Sequence, residues 1–527
     1  MERRDFLAKL GRTVVAAAAV PLLDACHGSS KTTTSTRAPS PPASSSTSSS
    51  TSTTVPPDLD DLARSLKGAL VRPSDASYPM ASRLASPAFD RLRPAAVARV
   101  ANASDVVACV DWARATGSPI TARGGGHSYA GYSSGSGLVV DLGALKAIGY
   151  DSGSRHATVG AGAQLVDVDL ALAGQGVAIP AGSCPTVGIA GLTLGGGMGL
   201  TGRAFGLTCD NVVAFDTVLA DGRQVHCDAT HDPDLYWALR GGGGGNFAIV
   251  TGFTFTTHAV GDVTIYKLTW PWSLAGKTLA AWMDWIANLP DELFSACLLS
   301  GAPGAGPSVS VSGLLLGAGA NLDSLLTPLV NAIGAPATRF SRTHTYADVA
   351  MIAAGCQGLS QAACHFAGSA PGGTLSRSAF LAKSDYFTKP MDTTAIAAVT
   401  SAIERRTADA RLQGGAAHFD AYGGAINRVA PDATAFVHRT ALCSAQYSGT
   451  FDPNAPADHL AANRAWLEAL YAPLRAAASG AAYQNYIDPA LTDWRSAYYG
   501  ANYDRLVRVQ RTYDPHHLFH FAQAVGA

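Results

Sequence analysis

Between residues 100 and 260 the polar and apolar positions alternate between two rhythms. Val106, Val107, Val110 and Ala113 recur at helical spacing behind Ser104, a candidate N-cap, and Gly117 ends the pattern. Ile120-Thr121-Ala122 then reads as a short strand that runs into Arg123-Gly124-Gly125-Gly126-His127, and Leu138-Val139-Val140 reads as another. Val213, Phe215, Thr217 and Leu219 alternate up to Asp221-Gly222, a strong hairpin signal. Asp232-Pro233 opens a helix through Leu239, and Phe247, Ile249, Thr251, Phe253 and Phe255 alternate as a strand. Past residue 260, amphipathic stretches (Leu279 to Ile286, Leu322 to Ile333) mix with strand-like runs (Ser308 to Leu316, Ala435 to Tyr447), and a helix is predicted from about Asn502 to Thr512. The pattern predicts an α+β protein with one domain over residues 85–260, a second over 261–480, and a terminal segment at 481–527.

The length of 527 residues suits two large domains. Lys+Arg 38 against Asp+Glu 39 leaves a net charge of -1 and no basic block, which argues against a nucleic-acid partner. The N-terminus reads as an address. Arg3-Arg4-Asp5-Phe6-Leu7 precedes an apolar stretch, Val14 to Leu23, that is too short to span a bilayer, so residues 1–28 are expected to be a twin-arginine export signal. Leu23-Asp24-Ala25-Cys26 resembles a lipoprotein box, with Asp24 a departure, so a lipid anchor at Cys26 and a freely secreted chain both fit. From Ser29 to Pro57, 19 residues are Ser or Thr and five are Pro, the composition of a flexible spacer. The nine cysteines form no Cys-x-x-Cys pair, which argues against zinc ribbons, and Cys356 with Cys364 is the expected disulfide. His516, His517 and His520 follow Asp514-Pro515 in a packing pattern, and no metal site is expected.

The 55 glycines exceed the usual share of about 7%, and three runs stand out, at 124–126, 195–197 and 241–245. Backbone amides free of side chains can approach an anion closely, which suits a dinucleotide pyrophosphate, although glycine-rich turns of an ordinary β protein are the alternative. No run has the Gly-x-Gly-x-x-Gly order of a nicotinamide Rossmann motif, and Gly276-Lys277-Thr278 lacks the earlier glycine of a P-loop. His127 and Cys184 place a nucleophilic imidazole and a thiol inside these loops, and the flavin ring is an electrophile that both could attack.

Four ordered motifs carry a family resemblance. They are Arg123-Gly-Gly-Gly-His127-Ser-Tyr-Ala, Ala181-Gly-Ser-Cys184-Pro-Thr-Val187-Gly-Ile-Ala-Gly191-Leu-Thr-Leu-Gly195-Gly-Gly197, Gly206-Leu-Thr-Cys-Asp210-Asn211 and Tyr483-Gln-Asn485-Tyr486. Together they resemble the berberine bridge enzyme-like flavoproteins of the vanillyl-alcohol oxidase superfamily. The resemblance implies a PCMH-type FAD-binding domain of two α/β subdomains, completed by the C-terminal segment, and an α+β substrate domain with an antiparallel sheet. It implies FAD held bicovalently, by His127 at the 8α-methyl and Cys184 at C6, which would raise the flavin potential. Arg123, Gly124, Gly125, Gly126, Ser128, Val187, Gly188, Gly191, Gly195, Gly196, Asp210, Asn211, Ile249 and Asn485 complete the expected cofactor site. Tyr483 is the implied catalytic base, supported by Gln446, with Tyr486 as the fallback. A phenol with an ordinary pKa near 10 needs donors or positive charge to act as a base at neutral pH.

Two positions depart from the family pattern. Met198 stands where many members have a tyrosine that takes part in base activation, and Leu192 where a histidine is common, so activation of Tyr483 must differ. The implied reaction is hydride transfer from a C-OH or C-H bond of a sugar, alcohol or natural-product substrate, with molecular oxygen as acceptor. A dehydrogenase using a quinone and a secreted flavin-binding protein without turnover are the alternatives. The small-molecule substrate and the oligomeric state cannot be read from the sequence.

Overall fold

The computed structural model describes residues 58–527. The export signal, the lipobox cysteine and the Ser/Thr-rich spacer lie outside the described residues.

The helix expected behind Ser104 is Ala103–Thr116, and its cap is Asn102, whose side chain accepts the Asp105 amide at 3.0 Å. Gly117 ends it at φ 67°, a left-handed value suited to glycine. This helix is the crossover between parallel strands: Ala96–Arg99 and Ile120–Arg123 flank Leu138–Asp141, and Ala69–Val71 adds an antiparallel edge. The first sheet thus begins at Ala69, earlier than the expected boundary at residue 85. A second, antiparallel sheet has the order Ile148–Asp151, His156–Gly160, Ala248–Thr256, Val212–Leu219, Gln224–Cys227. The Asp221-Gly222 turn joins its last two strands, as expected, with Gly222 at φ 86°.

One apolar core serves both sheets. Val106, Val110, Phe215 and Phe253 share it with Trp494, Tyr498, Leu506 and Val509, so the returning C-terminal segment closes the same core. Between these parts lies a seven-stranded antiparallel sheet, ordered Thr338–Thr345, Asp262–Trp270, Gly306–Leu316, Leu293–Ala302, Gly415–Ala421, Cys443–Phe451, Ala379–Phe387. Helices Ala275–Trp285, Leu322–Ile333, Thr393–Ala408 and Ala457–Ala477 cover one face, burying Leu279, Leu326, Val399 and Leu470. Strand alternation sends Ala417, Phe419, Ala445 and Tyr447 into that core and leaves His418, Asp420 and Gln446 on the other face.

The strand expected at Ala435 to Tyr447 begins only at Cys443. Residues 435–442 are a buried loop instead. The Ala435 amide donates to the Trp237 carbonyl and the Phe436 amide to that of Arg240, while Asn502 donates to the Ala435 carbonyl, so distant partners replace the ladder. Arg203, in the short helix Gly202–Phe205, ties the first domain to the large sheet by donating to the carbonyls of Leu293, Tyr422 and Leu289.

Candidate active site

A cavity of about 650 Å³ opens between the large sheet and the first domain. Its floor is made where two loops meet: a Cβ on Gly125 would overlap the Gly188 backbone, and one on Gly188 would overlap that of Gly125. Only glycine lets the 124–128 turn lie against the 184–188 turn, and the result is a trough of backbone with no side chains in it. Gly124, Gly126, Ser128, Val187, Gly191 and Ile249 also line the cavity, as do the glycines of the third run, 243–245, which were absent from the expected site. The trough, its length of bare backbone and its volume suit a dinucleotide such as FAD.

His127 sits at this floor. Its Nε2 lies 2.9 Å from Thr186 Oγ1, and its ring stacks on Phe366 with centroids 5.8 Å apart. Burial pushes its pKa down to about 4, so the imidazole is neutral, and therefore nucleophilic, at ordinary pH. Cys184 lines the same cavity and is disulfide-bonded in this structure.

Five expected cofactor residues lie elsewhere. Arg123 donates to the Ala81 carbonyl at 2.6 Å and pairs with Asp141 at 2.9 Å. Asp210 takes a two-pronged bond from Arg439, at 2.6 and 2.8 Å, and Asn211 donates to the carbonyls of Phe205 and Leu207. Their charges and amides lock loops together behind the cavity instead of facing it. Gly195 and Gly196 also lie off the lining, where a Cβ would overlap Asn485 or crowd the Phe436 ring. Asn485 does reach the cavity, but its amide goes to protein oxygens, the Leu192 carbonyl at 2.9 Å and the Tyr483 hydroxyl at 2.8 Å.

Tyr483 is 2% exposed and lines the cavity. Gln446 does not support it directly. The Gln446 amide donates to the Tyr129 hydroxyl at 2.8 Å, Tyr129 stacks on Tyr486 at 5.2 Å, and Tyr486 meets the Tyr483 ring edge-on at 4.9 Å. Support from the large sheet comes instead through Ser384, whose hydroxyl accepts the Tyr483 amide at 3.0 Å. Burial pushes the Tyr486 phenol well up, which favours its protonated form. The sheet contributes Phe294, Phe380, His418 and Asp420 to the wall, with His418 Nε2 3.3 Å from Asp420 Oδ1. Asp420 alternates with Phe419 along its strand, and that alternation turns it toward the cavity.

A backbone trough beside a neutral histidine, faced by a tyrosine of the C-terminal segment and a carboxylate of the large sheet, suits a flavin-dependent oxidoreductase. Comparison with known proteins agrees. Residues 94–228 match the FAD binding domain model, and residues 482–526 the "Berberine and berberine like" model. The FAD-linked oxidoreductase YgaK of Bacillus subtilis is 33% identical over 465 residues, covering 87% of this chain and 97% of the relative. Xylooligosaccharide oxidase of Thermothelomyces thermophilus is 31% identical, covering 84% of this chain and 89% of the relative. The solved structure of BBE-like 1 from Physcomitrella patens superposes with a TM-score of 0.80 at 30% identity, covering 89% of this chain and 99% of that one. The chain belongs to the berberine bridge enzyme-like family of FAD-linked oxidoreductases.

Proposed function

We propose that the protein is an oxidase that removes a hydride from the C-OH carbon of a carbohydrate or related alcohol and uses dioxygen as the final acceptor. The observation that carries this reading is the placement of the Tyr483 hydroxyl at the wall of the cavity floored by the glycine loops and His127. FAD supplies the hydride-accepting ring. Tyr483 takes the proton of the substrate hydroxyl. Phe294, Phe380, Tyr129 and Tyr486 offer flat apolar faces to the C-H face of a sugar ring, while His418, Asp420 and Gln446 offer hydroxyl partners. Relatives named for oxidising xylo-, gluco- and chitooligosaccharides support a saccharide.

His127 would hold FAD covalently through the nitrogen that Thr186 does not engage. The Cys184 bond to flavin C6 needs a free thiol, so it forms only where that sulfur is reduced when FAD is loaded. Export through the Arg3-Arg4 address follows loading in the cytoplasm, and Arg3→Lys with Arg4→Lys should trap the yellow protein there. The deciding experiment for the activity is anaerobic mixing of the purified holoprotein with xylo-, gluco- and chitooligosaccharides and aromatic alcohols. Bleaching of the flavin by a saccharide at a rate that Tyr483→Phe lowers by about 10² to 10⁴ is expected. A flavin that no member of the panel bleaches removes the proposal.

A further inference from the structure

Among the described residues, three donors meet on the Tyr483 oxygen. The Gly197 amide reaches it at 3.0 Å, the Met198 amide at 3.2 Å and Asn485 Nδ2 at 2.8 Å. The orientation of the Asn485 amide is fixed independently, because the same Nδ2 also donates to the Leu192 carbonyl, where a flipped amide would set oxygen against oxygen. A neutral phenol brings a hydrogen that needs an acceptor, and these partners supply none. A phenolate brings no such hydrogen and accepts several donors at once, so the arrangement is complementary to the charged form.

The turn is built for this. Gly196 at φ 113° and Gly197 at φ 85° are both left-handed, which turns consecutive amides to one side as an anion-binding nest. The carbonyls of the same residues are held away from it: Thr208 donates its amide to Gly197 O at 2.9 Å, and Cys209 donates its own to Gly196 O at 2.8 Å. The donors therefore need no reorganisation when charge forms on the phenol oxygen. The glycine run at 195–197, which reads in the sequence as a phosphate cradle, binds a side-chain oxygen.

We propose that the Gly195–Met198 turn and Asn485 form a preorganised phenolate hole that holds Tyr483 in its proton-accepting form, with Asn485 as a positioning residue. It takes the place of the tyrosine that Met198 replaces, by using the Met198 backbone where other members use a side chain. The proposal rests on Tyr483 being the base: the substrate hydroxyl proton passes to the phenolate oxygen, bound FAD would take the hydride, and the phenol then returns its proton to solvent. Burial works against the hole and the three donors offset part of it, leaving Tyr483 raised to about 12. The neighbouring groups Cys209, Tyr129, Tyr386, Tyr422 and Tyr486 are all pushed up by burial and His438 down to about 3, so they stay neutral; Asp420 and the Asp210-paired Arg439 are the charges nearby.

The test is the pH profile of anaerobic flavin reduction in the holoenzyme, with wild type, Asn485→Ala, Asn485→Ser, Tyr483→Phe and a chain carrying 3-fluorotyrosine, a more acidic phenol, at position 483. The wild-type rate should climb with pH to a plateau. Asn485→Ala should move that limb up by about one to two pH units, the effect of one hydrogen bond to a charged group, with flavin content unchanged. Asn485→Ser, which keeps a hydroxyl donor on a shorter side chain, should move it less, and fluorotyrosine should move it down. A limb that stays at the wild-type pH in both Asn485 variants while the rate falls uniformly overturns the hole. So does a limb that fluorotyrosine leaves in place. Reduction of Tyr483→Phe at the wild-type rate would instead overturn the assignment of the base itself.

Discussion

Val187 lines the cavity three residues after Cys184, and its position is rigid: its amide donates to the Cys184 carbonyl at 3.2 Å, and its carbonyl accepts the Leu165 amide at 3.0 Å. A side chain held so tightly sets the free space beside the flavin. Val187→Ile adds one methylene to a close-packed wall, where such a change is felt. Stopped-flow mixing of the reduced enzyme with oxygen should show reoxidation slowed by about tenfold or more, with the reductive half nearly unchanged. Equal reoxidation in both forms would mean that Val187 does not control oxygen access. The residues legible in the sequence are those, like His127 and Val187, whose motif puts them directly on the cavity. The partner of Gln446 and the place of Asp210 were missed because each meets its partner across more than 200 residues, Gln446 at Tyr129 and Asp210 at Arg439, and local spacing carries no trace of that. Met198 is the opposite case. Its side chain signalled a loss, whereas its backbone amide carries the contact.

Elements whose logic is local were readable. The Val212–Leu219 hairpin follows from alternation and a glycine turn, and Leu322–Ile333 from helical spacing, but the 435–442 loop is largely buried without being regular. What holds that loop is Arg439. Its side chain is fully buried, paired with Asp210 in two-pronged fashion, bonded to Thr434 Oγ1 at 2.8 Å, and placed over the Phe436 ring at 4.9 Å. Removing one partner of a buried pair leaves an uncompensated charge, so Arg439→Met should cost about 3–5 kcal/mol. Asp210→Leu combined with Arg439→Met should recover much of that loss, because no charge is stranded. Thermal melts of the holoprotein would show it; a double variant no more stable than Arg439→Met would mean that the arginine acts through packing alone.

At the scale of the whole molecule, residues 354–378 lie against the His127 side of the cavity and are fastened at three places. The expected disulfide between Cys356 and Cys364 closes the loop on itself, Arg377 grips Asp90 at 2.6 and 2.7 Å, and Asp167 of the first domain holds both Gln361 at 2.7 Å and His365 at 3.1 Å. Phe366, next to His365, is the ring stacked on His127, so the state of this clasp bears on the flavin site. The hydrogen bond that His365 donates to Asp167 raises the pKa of His365. For Asp167, burial pushes up, but the bonds from His365 and Gln361 hold the carboxyl below its ordinary value. The signs then fix a window. A raised histidine stabilises docking fully below its unfolded pKa near 6.5 and loses that contribution as pH rises through the higher folded value. A lowered carboxylate stabilises above about 3.8 and loses its share as pH falls through the lower folded value. The clasp should therefore be tightest in mildly acidic solution and loosen toward alkaline pH. Hydrogen exchange at the Cys364 and Ala367 amides, corrected for the intrinsic pH dependence, should show protection falling as pH rises past about 6.5 and through the higher folded value. Asp167→Asn should flatten that change, while an unaltered pH dependence in the variant would place the loosening outside the His365 pair.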